Sequence, residues 1–406
     1  MTEAASFLFR RAQAPLFLIG LGHSATHWVG TTFMILLPFM GKDLGLSYTA
    51  VGLLVSLRHV SSVVTNVGAG AAVDLMGRPL RFLLVTLIIN TVAIALLGAT
   101  DLYWVIAAMA MLIGASNNMW HPAAMSYLSA AYAPRRGLAL SIHATGASLG
   151  DMLAPLAAGA LLVVFTWRQT AGVIAVPGAM ILVLFWLFLL PREEAPPARR
   201  EGEEEGGRPG YVQGLAFLVR QRAFLGLCLM AGTRSMVQSG LFLFLPLYLA
   251  DVLGANPVVL GTAMMAMHLG GALVSPISGA YSDHVGPKPV LAFGLLAATL
   301  VIATLPAVQN LTLFVATVGL LGVVFYAVRP IVQSWAMDLS PPEMRGTAVS
   351  MLFGTQSSLA AVVPVVTGMV ADRWGIPVVF YVLAGLMALS TLTVLLLPQR
   401  VARAET

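Results

Sequence analysis

Long apolar runs separated by short polar gaps dominate the chain. Twelve such runs of about 20 residues or more lie near 15–39, 48–73, 80–98, 103–130, 137–163, 170–190, 223–250, 257–282, 288–306, 311–337, 346–370 and 376–398. About 20 apolar residues in a helix cross the hydrocarbon core of a bilayer. The pattern therefore predicts an all-α integral membrane protein with twelve transmembrane helices.

A polar segment divides these runs into two sets of six. Residues 191–222 contain Pro196, Pro197 and an acidic stretch at 201–205. Such a composition cannot build a packed core. We therefore expect an N-terminal six-helix half at 1–190, a cytoplasmic linker at 191–222 and a C-terminal six-helix half at 223–406.

A short polar turn occurs once in each half. Gly70, Asp74 and Gly77 return as Gly279, Asp283 and Gly286, each 209 positions later. At an offset of 208 or 209, His59 also matches His268, His121 matches Arg329, and Pro155 matches Pro364. An even number of spans gives both halves the same orientation, an architecture of secondary transporters. The repeat therefore predicts two pseudo-symmetric halves around a central cavity.

Composition and charge support a membrane protein and set its orientation. The chain is 58% hydrophobic and 10% charged, against about 25% charged residues in soluble domains. Most of the 22 Lys and Arg residues lie on the side that holds the linker and both termini, and the positive-inside rule makes that side cytoplasmic. We expect a monomer in the bacterial inner membrane, in contact with lipid and without a nucleic-acid partner.

The doubled turn resembles the signature loop of the major facilitator superfamily. Both copies have Gly, three residues, Asp, two residues and Gly, followed by a basic residue. The resemblance implies a twelve-helix transporter that works by alternating access. It also implies a cytoplasmic charge gate formed by Asp74, Arg78 and Asp283. In the second copy Pro287 follows the glycine, and Lys288 is the basic residue of the gate.

Two further stretches are similar to bacterial exporters within that family. Residues 146–159 resemble the Gly/Pro-rich antiporter motif of drug exporters. Residues 114–122 and 136–142, with their His-Pro and Arg-Gly-Leu-Ala sequences, resemble the fosmidomycin-resistance branch. These resemblances imply antiport and efflux, and therefore a role in drug resistance.

Ionisable residues inside the spans are the candidate chemistry. Arg58, Asp151, Arg234 and Arg329 fall well inside predicted spans, where a charge costs about 2.5–3.5 kcal/mol even on mild scales. Three arginines against one carboxylate predict a site that attracts anions, because guanidinium groups match carboxylate or phosphonate oxygens. Polar neighbours on the same helix faces complete the predicted substrate site: Asn117, His121, Gln238, Tyr326 and Gln333. The alternative is structural, with Arg58 paired to Asp151 and the other arginines bound to backbone carbonyls.

Histidines and one acid are the candidate proton carriers. Six of the seven histidines fall inside predicted spans, and imidazole titrates near neutral pH. Asp151 is the only acid at this depth. The predicted proton-coupling residues are Asp151, His23, His27, His59 and His143. Two other interpretations stay open: the histidines are ordinary hydrogen-bonding residues, or His23, His27 and Asp151 bind a transition metal, which the three arginines would oppose.

The sequence therefore predicts a proton-coupled secondary transporter that exports a small anionic or polar organic compound. No phosphate-binding loop, nucleophile elbow or metalloprotease motif is found in the sequence, so we expect no enzymatic activity, cofactor or resident metal. Three alternatives remain: proton-symport uptake of an organic anion, transport of a transition metal or metal chelate, and a membrane receptor that does not transport.

Overall fold

Helices form the whole regular structure of the computed structural model, which describes residues 13–192, 216–341 and 344–398. No strand occurs in these ranges. In chain order the long helices are α1 (Ala14–Asp43), α2 (Tyr48–Met76), α3 (Pro79–Leu97), α4 (Tyr103–Ala131), α5 (Arg136–Leu161), α6 (Trp167–Leu184), α7 (Arg222–Leu247), α8 (Pro257–Val285), α9 (Pro287–Thr304), α10 (Leu311–Tyr326), α11 (Arg329–Asp338), α12 (Arg345–Ala360), α13 (Val363–Trp374) and α14 (Ile376–Leu396).

These helices agree with the predicted spans, and two spans are interrupted. The tenth span consists of α10 and α11, and the eleventh consists of α12 and α13. Pro330 lies in the first turn of α11 and Pro364 in the first turn of α13. Proline has no N–H to donate and clashes with the preceding turn, so it starts a helix more readily than it continues one. The first break places Arg329 at the start of α11.

Apolarity is unevenly distributed among the helices. By length and composition, eight helical stretches in the described ranges are apolar enough to cross a membrane, and they include α3, α6 and the spans from α7 onward. The other four long helices are α1, α2, α4 and α5. They contain the ionisable residues that the sequence predicts for the site in the first half: His23, His27, Arg58, His59, His121, His143 and Asp151. Polar chemistry inside the bundle therefore explains their lower apolarity.

The fold divides into two compact units. The first falls within Met1–Gly45, Leu57–Arg199 and Asn256–Met265. The second falls within Leu46–Ser56, Arg200–Ala255 and Ala266–Thr406. The first turns of α2 therefore pack within the second unit, and the first turns of α8 pack within the first unit.

In the first unit, α1 and α5 meet with their backbones in contact. A Cβ atom at Gly146 would lie 2.1 Å from the Gly20 carbonyl oxygen, and one at Gly150 would lie 2.3 Å from that of Ser24. Only glycine allows this approach. The contact brings the polar residues of α1 next to those of α5.

In the second unit, the start of α2 is held by an acid at the end of α13. The Asp372 carboxylate accepts hydrogen bonds from the backbone N–H groups of Tyr48 (2.8 Å) and Thr49 (2.9 Å). A carboxylate at a helix N-terminus satisfies free N–H groups and interacts favourably with the helix dipole. Elsewhere in this unit α7 packs against α12 and α14.

The repeated turn has a common backbone conformation. Gly77 and Gly286 both have positive φ, +61° and +87°, a region that favours glycine. Each N–H donates to a carbonyl four residues earlier, that of Val73 (3.0 Å) or Ser282 (2.8 Å). The second glycine of the turn therefore ends the helix in both halves.

Candidate functional site

The first unit contains a carboxylate–histidine pair between α1 and α5. The Asp151 carboxylate accepts a hydrogen bond from His27 Nδ1 (3.0 Å) and another from Thr31 Oγ1 (2.7 Å). His27 and Thr31 are one helical turn apart and share a face of α1. The Asp151 side chain is 28% exposed. The carboxylate is thus hydrogen-bonded on two sides, and part of its surface is not covered by protein atoms.

Arg58 and Asn117 reach the same part of α1. A Cβ at Gly30 would lie 3.1 Å from Arg58 Nη2 and 3.2 Å from Asn117 Nδ2, so the glycine leaves room for both side chains. The Arg58 guanidinium lies within electrostatic range of Asp151. Arg58 Nε and Asn117 Oδ1 are buried without a hydrogen-bond partner in the described part of the chain. A donor and an acceptor are therefore available to a ligand there.

Four histidines gather beside this pair. The His23 ring stacks on His143 at 3.9 Å between centroids and meets His27 and His121 edge-on at 4.8 and 4.9 Å. His23 Nδ1 lies 2.7 Å from the His143 carbonyl oxygen. Trp120 Nε1 donates to His143 Nε2 at 3.2 Å. His121, predicted for substrate binding, therefore joins three histidines predicted for proton coupling, whereas His59 lies on α2 outside these ring contacts.

The second unit contains a buried arginine, Arg234, that has no acidic partner in the described part of the chain. Its side chain is 3% exposed. Arg234 Nη2 donates to Gln238 Oε1 at 3.2 Å, as the i, i+4 spacing predicts. Its Cζ lies 4.8 Å from the Phe325 ring centroid, and its Nη1 is buried with no hydrogen-bond partner among the described residues. Among residues 13–192, 216–341 and 344–398, no carboxylate forms an ion pair with Arg234.

Two further residues of the predicted substrate site lie near Arg234. Arg329 and Tyr326 lie within electrostatic range of its guanidinium. The Tyr326 hydroxyl is 3.4 Å from His268 Nδ1. Arg329 is exposed, and Gln333 is half-buried one turn further along α11. The interruption at 327–328 means that Tyr326 ends one helix and Arg329 begins the next.

The predicted gate residues lie at helix ends. Arg78 precedes α3 and is half-buried, and Asp283 is exposed near the end of α8. Lys288 Nζ donates to the carbonyl oxygens of Leu395 (2.8 Å) and Leu397. It therefore binds the end of α14, where free carbonyls and the helix dipole favour a cation. The Asp74 side chain lies outside the described residues.

Sequence reasoning missed three residues that complete these clusters: Thr31, Trp120 and Phe325. Thr31 was available from spacing, because it lies four positions after His27. Trp120 and Phe325 each stand next to a residue singled out for its chemistry, His121 or Tyr326. In a sequence, an aromatic residue within an apolar run indicates core packing or lipid contact. Only the structure shows that Trp120 donates a hydrogen bond and that Phe325 contacts a guanidinium.

A buried arginine, Arg234, and a carboxylate–histidine pair among membrane-length helices are typical of a multi-pass transport protein. The Major Facilitator Superfamily model matches residues 17–267 and 227–406. The chain belongs to that family. It is a multi-pass membrane transport protein rather than an enzyme, and the predicted all-α fold is confirmed.

Relatives within the family include drug-resistance proteins. The multidrug resistance protein MdtG of Dickeya zeae is 24% identical over 376 residues, which cover 89% of this chain and 90% of that protein. The fosmidomycin resistance protein of Escherichia coli is 21% identical over 381 residues, covering 93% and 91%. The predicted similarity to bacterial drug exporters is confirmed.

Solved structures show the same fold. A bacterial homologue of the human lysosomal transporter Spinster, in an inward-facing and occupied conformation, superposes with a TM-score of 0.81. The match covers 98% of this chain and 97% of that chain at 16% sequence identity. At this identity the likeness concerns the fold alone.

Proposed function

We propose that this protein exports a small anionic or polar organic compound across the bacterial inner membrane, by alternating access and in exchange for protons. In this proposal both termini are cytoplasmic, as the charge distribution predicts. The observation that carries the proposal is the buried Arg234 guanidinium, which has no carboxylate partner among the described residues.

The chemistry around Arg234 suits an organic anion. An uncompensated buried charge is strongly unfavourable, and an anionic ligand removes that penalty while forming charge-assisted hydrogen bonds. Nη1 has no acceptor in the described ranges, Gln238 orients the guanidinium, and Phe325 supports it through a cation–π contact. Arg329 adds a second positive charge nearby. A planar organic group with a carboxylate or phosphonate fits this combination of charge and aromatic surface.

Asp151 is the proton carrier in this proposal. As a carboxylate it accepts from both His27 and Thr31. Protonation removes its charge, weakens both hydrogen bonds and changes its electrostatic interaction with Arg58. Loading and unloading of one proton thus alters the contacts between α1 and α5, which is the kind of differential interaction that conformational coupling requires.

The direction of transport is supported by the names of the relatives. MdtG is called a multidrug resistance protein, and the Escherichia coli relative is called a fosmidomycin resistance protein. Fosmidomycin is an anionic phosphonate, which agrees with the ligand chemistry proposed for Arg234. Proton-symport uptake would use the same residues with the opposite direction of substrate flux.

Proteoliposomes test the proposal directly. The protein is reconstituted with labelled fosmidomycin or a mixed panel of carboxylates and phosphonates, and a pH gradient is imposed. We expect uphill movement of one anion against the proton flux. Arg234→Gln should abolish that flux, whereas Arg373→Gln should not, because Arg373 stacks on Trp374 at a helix end. Accumulation along the proton flux instead of against it would select the symport alternative, and an absence of any gradient-driven flux would refute proton coupling.

A further inference from the structure

We propose that His23, His121 and His143 form a binding site for one divalent transition-metal ion of borderline softness, such as Zn²⁺. One ring nitrogen from each residue lies within 4.8 Å of the others. The three residues belong to α1, α4 and α5, so a bound ion would link three helices of the first unit. The proposal is independent of the transported substrate, and it differs from the sequence alternative of His23, His27 and Asp151.

Hydrogen bonding assigns the role of each nitrogen of His23. Its Nδ1 lies 2.7 Å from the His143 carbonyl oxygen, which only accepts, so Nδ1 carries the hydrogen. In the neutral ring the lone pair is therefore on Nε2. This atom is buried and has no hydrogen-bond partner in the described part of the chain. The residue is 3% exposed, so an oriented lone pair is held away from solvent, as in a histidine ready to bind a metal.

Metal binding would require different changes at the other two proposed ligands, His121 and His143. The His121 ring lies edge-on to His23 at 4.9 Å. His143 Nε2 accepts a hydrogen bond from Trp120 at 3.2 Å. A metal bound through that nitrogen must replace the Trp120 hydrogen bond, and one bound through Nδ1 requires the other tautomer. Metal binding should therefore change the environment of the Trp120 indole.

The ring nitrogens, which lie within 4.8 Å of one another, must move closer together to bind one ion. Zinc–nitrogen bonds of about 2.0–2.1 Å in tetrahedral geometry place ligand atoms about 3.3 Å apart. The His23 ring stays in place through its Nδ1 hydrogen bond, and rotation of the His143 ring would bring one of its nitrogens toward an ion on His23 Nε2. Imidazole ligands favour zinc, copper and nickel over magnesium or calcium. Three histidines leave a fourth position for water or an anion.

Charge near the cluster is mixed, so a cation is tolerated. The positive charge of Arg58 would repel a bound cation, but the Asp151 carboxylate lies within electrostatic range of Arg58 and offsets part of that charge. The Asp151 carboxylate is bonded to His27, and the His27 ring contacts His23 at 4.8 Å. Negative charge thus lies one ring away from the proposed ligands.

Metal titration tests the proposal on the full chain, purified without a polyhistidine tag and stripped with a chelator. We expect one Zn²⁺ per chain in competition with a chromophoric chelator. His23→Asn and His121→Asn should weaken binding at least tenfold. His59→Asn and His268→Asn, which remove histidines outside the group, should bind as the parent does. Stoichiometric binding that survives both ligand variants would overturn the proposal, as would a parent protein that binds no Zn²⁺ at micromolar concentration.

A second measurement on the parent protein avoids any dependence on how the variants fold. Zinc K-edge absorption of the loaded protein should show three imidazole ligands by their outer-shell scattering, and indole fluorescence should change on loading. The fluorescence change should be lost in Trp120→Phe, while metal binding is retained. A spectrum with fewer than two imidazoles would assign the ion to another site and refute the proposal.

Discussion

The two units carry different polar chemistry on a repeated framework. The first holds histidines and a carboxylate, with Asp151 bonded to His27 and Thr31. The second holds Arg234 over Phe325 and has no ion-paired acid at that arginine among the described residues. The first unit also has an arginine, Arg58, but that arginine lies within electrostatic range of the Asp151 carboxylate. In the proposed mechanism, proton handling is therefore assigned to the first unit and anion binding to the second.

Matching positions of the two halves share backbone geometry at some sites and differ in side-chain chemistry at others. Gly77 and Gly286 have the same left-handed conformation and the same helix-ending hydrogen bond. His121 and Arg329, by contrast, occupy matching positions with different chemistry: one lies in a ring cluster, and the other is exposed at the start of a helix. Backbone geometry is thus repeated where a turn requires it, while side-chain chemistry differs where ligands would act.

Removing the titratable acid should have the largest effect. Asp151→Asn keeps the size of the side chain and one acceptor oxygen but cannot carry a proton. We expect gradient-driven transport to fall at least 100-fold, and exchange of substrate without a gradient to persist. Flux in proteoliposomes with and without an imposed pH gradient measures both quantities. Parent-like uphill transport by Asp151→Asn would place the proton site elsewhere.

Changing the permanent cation should give the next largest effect. Arg234→Gln removes charge-assisted hydrogen bonds worth about 1.5–3 kcal/mol, so the substrate Kd should rise about 10- to 100-fold. Arg234→Lys keeps the charge but loses the planar guanidinium, so its substrate affinity should lie between those of the parent and Arg234→Gln. Equilibrium binding in detergent measures the series, with Arg373→Gln as the matched control. Equal affinity for all four proteins would contradict the assigned anion site.

The close contact between α1 and α5 holds the histidines together, and a substitution at a glycine can disturb it without changing any polar side chain. A Cβ at Gly146 would lie 2.1 Å from a backbone oxygen of α1, whereas one at Gly137 on the same helix meets nothing within 4 Å. Gly146→Ala should destabilise the protein by roughly 1–3 kcal/mol, and Gly137→Ala should leave Tm unchanged or higher. Thermal unfolding in detergent compares the pair. If both variants behaved alike, the close α1–α5 contact would be in doubt.

The smallest expected effect concerns a charge cluster beyond the predicted first span. Asp43 accepts hydrogen bonds from Trp167 Nε1 (2.9 Å) and from the Arg168 guanidinium, and these hold its pKa below the ordinary value of 3.8. A folded-state pKa below the unfolded value gives stabilisation that is present above the unfolded pKa and lost as pH falls. The Tm difference between the parent and Asp43→Asn should be small at pH 7 and should shrink as the pH falls below the unfolded-state pKa of about 3.9. A difference that grows on acidification would reverse the assigned sign.

Much of the fold could be predicted from sequence because it depends on local patterns. The length of the apolar runs predicted the membrane spans, and the repeated glycine-containing turn predicted the two related halves. Pro330 and Pro364 were visible, but whether a proline bends a helix or divides it depends on tertiary packing. For the sites, the spacing of Arg234 and Gln238 predicted their hydrogen bond. The stacking of His23 on His143 and of Arg234 over Phe325 joins different helices, and no spacing within one helix contains that information.

In the proposed transport cycle Arg234 binds the anion and Asp151 carries the proton. The most direct measurement is substrate binding and uphill flux, made in parallel on the parent, Arg234→Gln and Asp151→Asn in the same proteoliposomes. We predict that Arg234→Gln loses both binding and flux, whereas Asp151→Asn keeps binding and loses only flux driven by the pH gradient. Parent-like binding by Arg234→Gln, or parent-like uphill flux by Asp151→Asn, would contradict this division of roles.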